Sequence, residues 1–114
     1  MGFWSKIFGG GEDAELIEPV NLTNGVRKAA RAEGRVQGVG FRFFVQTSAK
    51  ALGVTGWVKN MSDGSVTMEL QGEAEIVERL MAKIRRGNDW IQVTNYTVSD
   101  LPIVEGENKF AIRY

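Results

Sequence analysis

The chain has 114 residues with 14 basic and 14 acidic side chains. That length argues for one domain with a modest core, and the charge balance makes no global demand for nucleic acid or a membrane. With no cysteine and no histidine, it excludes disulfides, thiol nucleophiles, thiolate or imidazole zinc sites and serine–histidine hydrolysis.

Residues 1–25 differ in composition from the rest. Gly9-Gly10-Gly11 is a flexible link, and one lysine against four acids gives the segment a net charge of −3, leaving +3 for residues 26–114. Phe3, Trp4, Ile7 and Phe8 could line one face of two helical turns and touch a membrane surface or a partner, but the expectation is a flexible N-terminal tail. The apolar stretch is too short for a secretory signal, and no run approaches the ~20 residues of a membrane span. The expected location is therefore the cytoplasm. Lys6 breaks the myristoylation pattern, and Asn21-Leu22-Thr23 is a sequon without a secretory route.

From Val26 onward the periodicities are readable. Ala30, Ala32, Gly34 and Val36 alternate with Arg31, Glu33 and Arg35, which predicts a half-buried strand. Phe41, Phe44, Val45, Ala49 and Leu52 recur at helical spacing, with Gly53 where a C-cap belongs. Val54, Gly56 and Val58 alternate with Thr55, Trp57 and Lys59 as a second strand. Asp63-Gly64 then signals a hairpin into a third strand carrying Val66, Met68 and Leu70. Gly72 is read as opening a second helix over Glu73–Arg86, with a buried stripe of Ile76, Val77, Leu80, Met81 and Ile84. Its acids lie at the positive end, its bases at the negative end, and Gly87 stops it. A fourth strand lies within Trp90–Ser99. Its apolar parity switches between Val93 and Tyr96, which predicts a bulge or a late start. Pro102 and Gly106 make a loop before a short last strand holding Phe110, Ile112 and Tyr114.

The order β-α-β-β-α-β with an extra β predicts an α+β, ferredoxin-like sandwich: an antiparallel sheet with two helices on one face. A right-handed crossover makes strands one and two parallel, with strand three between them. Their C-terminal ends then share one edge, bringing residues 18 apart in sequence, Arg42 and Asn60, to one corner.

That corner begins with Gly34-Arg35-Val36-Gln37-Gly38-Val39-Gly40-Phe41-Arg42, a strand-to-helix turn with three glycines in its first seven residues and no acid. In such a turn successive backbone N–H groups converge on one spot, where the helix dipole also favours an anion. Arg42 adds a planar, permanently charged fork. A tight turn with a solvated arginine is the plainer reading. Asn60 similarly could do no more than serve the hairpin, but its amide could also accept from a water and aim it at a bound anion.

The two segments, Gly34–Arg42 and Gly56-Trp57-Val58-Lys59-Asn60 with Asp63-Gly64-Ser65-Val66, closely resemble the two signature motifs of the acylphosphatases. The resemblance covers residues 26–114, including the closing Phe110-Ala111-Ile112-Arg113-Tyr114. It implies a small hydrolase without metal or other cofactor, which splits carboxyl–phosphate anhydrides into carboxylate and inorganic phosphate. Carried over, Arg42 binds the phosphate with the loop amides of Gln37, Gly38, Val39, Gly40 and Phe41, and Asn60 positions the attacking water. Met61 stands where many members carry threonine or another polar residue.

The expected partners are a small acyl phosphate and its phosphate product, bound by a monomer. Two rival readings differ in class. A nucleic-acid module of this topology would need aromatics on the open sheet face, where strands one and three show Arg31, Glu33, Arg35, Ser65, Thr67 and Glu69 and only Trp57 qualifies. A non-catalytic phosphate- or ligand-binding domain would keep the cradle without turnover.

Overall fold

The computed structural model describes residues 16–17 and 24–114. The anchor reading of Phe3, Trp4, Ile7 and Phe8 therefore lies outside the described residues. Seven elements follow in order: β1 (Gly25–Arg35), α1 (Phe41–Leu52), β2 (Thr55–Asn60), β3 (Val66–Glu73), α2 (Ala74–Arg86), β4 (Gln92–Leu101) and β5 (Phe110–Arg113). The sheet order is β4-β1-β3-β2-β5.

β1 pairs antiparallel with both β3 and β4, and β2 pairs antiparallel with β3. β1 and β2 are thus parallel with β3 between them, as the crossover through α1 allows. The expected antiparallel sheet holds for these four strands. β5 departs from it: it joins the far side of β2 in parallel, with Gly56 opposite Phe110 and Lys59 opposite Arg113. The loop after β4 carries the chain across the sheet before β5 begins, so β5 can enter in the same direction as β2.

The core lies between the sheet and the two helices. Phe41, Val45 and Ala49 of α1 and Val77, Leu80, Met81 and Ile84 of α2 meet Ala30, Ala32, Val58, Val66, Met68 and Leu70 of the strands, all buried. Each large apolar side chain taken out of water there contributes roughly 1.5–3 kcal/mol before chain entropy is counted. Small Ala30 and Ala32 let the helices approach the middle of the sheet.

Two details differ from the sequence reading. Gly72 is a buried strand residue paired with Val26, and α2 starts two residues later at Ala74 with Glu73 as its N-cap. Gly72 packs under Val54 and Val77, so its small size serves strand–helix contact rather than a helix start. Ser65, assigned to the open face, is buried at the turn, where its hydroxyl donates to Asp63.

The parity switch in β4 is a bulge. Glu33 faces Asn95 whereas Gly34 faces Val93, so Thr94 is the extra residue and both Val93 and Tyr96 reach the core. At the other end of the sheet, Arg27 is only 4% exposed on the face away from the helices. It donates to Glu69, Gln71 and, through two nitrogens, Glu107. Burial opposes its charge most strongly, yet the two carboxylates outweigh that and leave its pKa raised. Gln71 in turn exchanges two hydrogen bonds with the backbone of Val104. This network fastens the β4–β5 loop to the sheet, and Ile17 joins it by donating to the Asn108 carbonyl.

Gly56 sits at φ +139, with Glu69 O only 1.8 Å from where a Cβ would stand, whereas Gly106 at φ +78 has nothing within 4 Å. Gly56→Ala should cost on the order of 3 kcal/mol or more because strain and a backbone clash add. Gly106→Ala should cost only about 1 kcal/mol, for left-handed backbone alone. Urea denaturation giving equal losses would contradict this account.

Candidate active site

The C-terminal ends of β1, β2 and β5 all lie on one edge of the sheet, because these three strands run in the same direction. The loop from β1 into α1 crosses that edge. Gly38 and Gly40 have φ +77 and +76, and no non-glycine residue has positive φ among the described residues. Val39 between them has negative φ, so the sign of φ alternates through the loop, a pattern found in turns whose successive N–H groups can face one anion. A Cβ at either glycine would meet nothing within 4 Å. Backbone conformation, not crowding, therefore demands glycine here.

Gly40 is also the N-cap of α1. No side chain caps this helix end, and its first turn has no acid. Neither a cap nor a first-turn acid among the described residues offsets the positive partial charge of this end.

Arg42, in that first turn, is half-buried. One guanidinium nitrogen donates to the Arg113 carbonyl at 3.4 Å, and its carbon lies 4.8 Å from the centre of the Tyr114 ring. Tyr114 follows β5 with the parity of Phe110 and Ile112, hence on the helix side. The ring is 91% exposed, so it supports the guanidinium without enclosing it. One long hydrogen bond leaves most of the five N–H donors of Arg42 available.

Asn60 ends β2 opposite Val66 and shares parity with buried Val58, so it too faces the helix side. Its Oδ1 is buried and receives no hydrogen bond from any described residue. A buried acceptor of this kind normally pairs with a protein donor or with water. Lys59, next to Asn60, is the register partner of Arg113, whose carbonyl takes the Arg42 hydrogen bond. The fold therefore does bring Arg42 and Asn60 to one corner.

Sequence reasoning missed the side chain of Gln37, counted only for its backbone, and the closing Tyr114. Gln37 Nε2 donates to the carbonyls of Met61 and Ser65, both at 2.8 Å. Met61 enters through its backbone: its N–H donates to Ser65 O and its own carbonyl accepts from Gly64. Alternation offers no signal for either contact, since both join segments far apart in the chain.

The β2–β3 turn is secured from a second side. Asp63 accepts from the hydroxyl and N–H of Ser65 and from Arg31. The Ser65 hydroxyl, then its N–H, then Arg31 hold the Asp63 carboxyl well below the usual carboxylate range.

A depression of about 410 Å³ lies on the opposite, open face of the sheet, bordered by Arg31, Trp57, Thr67, Glu69 and Ser99. Arg31 there is taken by Glu33 and Asp63, and Trp57 is covered by Arg113 at 4.6 Å. Trp57 is the only aromatic strand residue on that face among the described residues. The surface lacks the aromatic platform that stacks single-stranded bases. Also among the described residues, no group of three or more carboxylates is placed to hold a metal ion.

The acylphosphatase family model matches residues 28–112. The chain is 43% identical over 89 residues to an acylphosphatase of Clostridium beijerinckii, covering 78% of this chain and 99% of that protein. It is 45% identical over 91 residues to one from Bifidobacterium longum, covering 79% and 94%. The crystal structure of acylphosphatase from Bacillus subtilis superposes with a TM-score of 0.74 at 35% identity, covering 78% of this chain and 99% of that one.

Because the folded-state pKa of Asp63 is depressed, its contribution to stability is complete above the unfolded pKa of about 3.9 and is lost as pH falls below it. The difference in urea midpoint between the protein and Asp63→Asn should be flat from about pH 5 to 8 and shrink between about pH 4 and 2. A difference that persists undiminished at the acid end would show that the charge of this carboxylate contributes nothing.

Proposed function

The chain belongs to the acylphosphatase family, and from that membership we propose that the loop Gln37–Phe41, Arg42 and Asn60 form its active site. The enzyme hydrolyses acyl phosphates to a carboxylate and inorganic phosphate. The loop amides and Arg42 hold the phosphoryl oxygens, and Asn60 Oδ1 accepts a hydrogen bond from the attacking water. The observation that supports this assignment most is that Asn60 Oδ1, buried and without a hydrogen bond from any described residue, lies on the same sheet edge as the start of α1, which has no acid in its first turn.

The chemistry asks for little else. Water oxygen bonds to phosphorus, the bond from phosphorus to the acyl oxygen breaks, and the carboxylate departs with the electron pair. Its low basicity makes leaving-group protonation unnecessary, and a phosphate oxygen takes the proton of the water. What the protein supplies is alignment and a fixed positive environment for charge shared among phosphoryl oxygens. A chain without histidine or cysteine can supply both, and no metal is assigned to the step. All the assigned groups come from one chain, which fits a monomer.

Benzoyl phosphate hydrolysis in EDTA, with inorganic phosphate as competitive inhibitor, tests the assignment. Arg42 touches the anion in ground and transition states, so Arg42→Gln should weaken phosphate inhibition and lower kcat/KM by ~10²–10³. Asn60→Ala should lower kcat by a similar factor with KM and phosphate affinity nearly unchanged. A folded Asn60→Ala protein with full kcat would return that residue to a turn role. Activity lost in EDTA and restored by magnesium would overturn the metal-free mechanism.

We also propose that residues 26–114 are the catalytic unit and that residues 1–25 supply none of its groups, although Gly25 already pairs with Glu73 at the start of β1. Protein truncated before Asn24 should keep its kcat while losing some thermal stability, because the Ile17–Asn108 contact goes with it. A folded truncation with kcat reduced tenfold, about 1.4 kcal/mol of barrier, would place part of the machinery in the tail.

A further inference from the structure

The geometry points to the Gln37 side chain as a positioning residue that sets the separation between bound phosphoryl group and attacking water. The inference rests on the active-site reading above and extends it to a group that reading does not use. Gln37 stands between Val36, buried in the core, and Gly38, the first left-handed residue of the loop. Its backbone N–H opens the proposed cradle. Its side chain leaves the cradle and ends on the turn beyond Asn60, donating to Met61 O and Ser65 O at 2.8 Å each.

A carboxamide NH₂ has two hydrogens, and both are committed here. The two carbonyls close the turn that follows Asn60. Ser65 O already receives Met61 N–H at 2.8 Å, and Met61 O receives Gly64 N–H at 3.2 Å. The peptide joining Asn60 to Met61 is therefore held by its own N–H on Ser65 O at the end of the Asn60–Val66 ladder, and Gln37 clamps Ser65 O and the next carbonyl, Met61 O. Among the described residues no other side chain of the loop Gln37–Gly40 has a hydrogen bond to the turn, because Gly38, Val39 and Gly40 carry no side-chain donor or acceptor. One residue thus ties the anion side of the site to the water side.

The consequence is kinetic. In-line attack needs the water at a set distance from phosphorus, and a displacement of about 1 Å can cost ~10²-fold in rate. Without the clamp, the loop still folds through its glycines and the turn still closes through Asp63 and Ser65. Both halves persist while their separation loosens. Glutamate at this position would be isosteric but, when ionised, would present a carboxylate to two carbonyl oxygens and donate to neither.

A double-mutant cycle on benzoyl phosphate hydrolysis decides the matter, with phosphate inhibition measured in every variant. Gln37→Met keeps length and removes both donors. It should lower kcat about tenfold while phosphate affinity stays within about twofold, since the cradle is intact. On the Asn60→Ala background the same change should cost less than about twofold, and on the Arg42→Gln background it should keep most of its effect. If Gln37→Met fails to fold, Gln37→Glu takes its place in the same cycle. Full kcat in a folded variant, or an undiminished loss on the Asn60→Ala background, would overturn the positioning role and leave the Asn60 assignment standing. Full kcat in Asn60→Ala itself would instead remove the active-site reading and this inference with it.

Discussion

The crossover through α1 between β1 and β2 is the constraint on which the site depends. An intervening helix lets the chain re-enter the sheet in the direction in which it left. β3 fills the gap between the two parallel strands, and their C-terminal ends must then share an edge. The same direction imposed on β5 brings Arg113 and Tyr114 there as well. Three strand ends and one helix start converge without any long-range side-chain interaction having to bring them together.

What the edge holds is mostly backbone. Two left-handed glycines shape the loop, and among the described residues α1 starts with neither a side-chain cap nor an acid in its first turn. The polar side chains are few, and each joins two segments: Arg42 reaches β5, and Gln37 reaches the turn after Asn60. Such a site gains rigidity from ladders and glycine φ values, so little reorganisation is needed when charge moves. At the far end of the sheet the opposite solution appears. There Arg27 is buried with Glu69 and Glu107, and the ions are compensated internally, which fastens a loop rather than leaving a charge for a ligand.

Much of this was legible in the sequence because it is local. The alternation of Ala30 and Ala32, the helical stripe of α2, the caps at Gly53 and Gly87 and the Asp63-Gly64 turn depend on neighbours within a few residues. So do the glycines of the loop, and the two motifs together carried the family resemblance. The parity switch before Tyr96 was readable as irregularity, since a bulge leaves a trace in its own strand. Gly72 was misplaced because glycine before a helical stripe has two local meanings, and only the packing of Val54 and Val77 against it selects the strand.

The chain by itself thus determined the element order, the glycine conformations and, by lacking histidine and cysteine, the kind of chemistry available. Tertiary structure alone decided which side of β2 receives β5, where the Gln37 amide ends, that Tyr114 packs against Arg42, and that Asn60 Oδ1 is buried with no donor among the described residues. Periodicity records which face of an element is apolar. It holds no record of which polar atom on one segment meets which on another, because that depends on the relative placement of segments tens of residues apart.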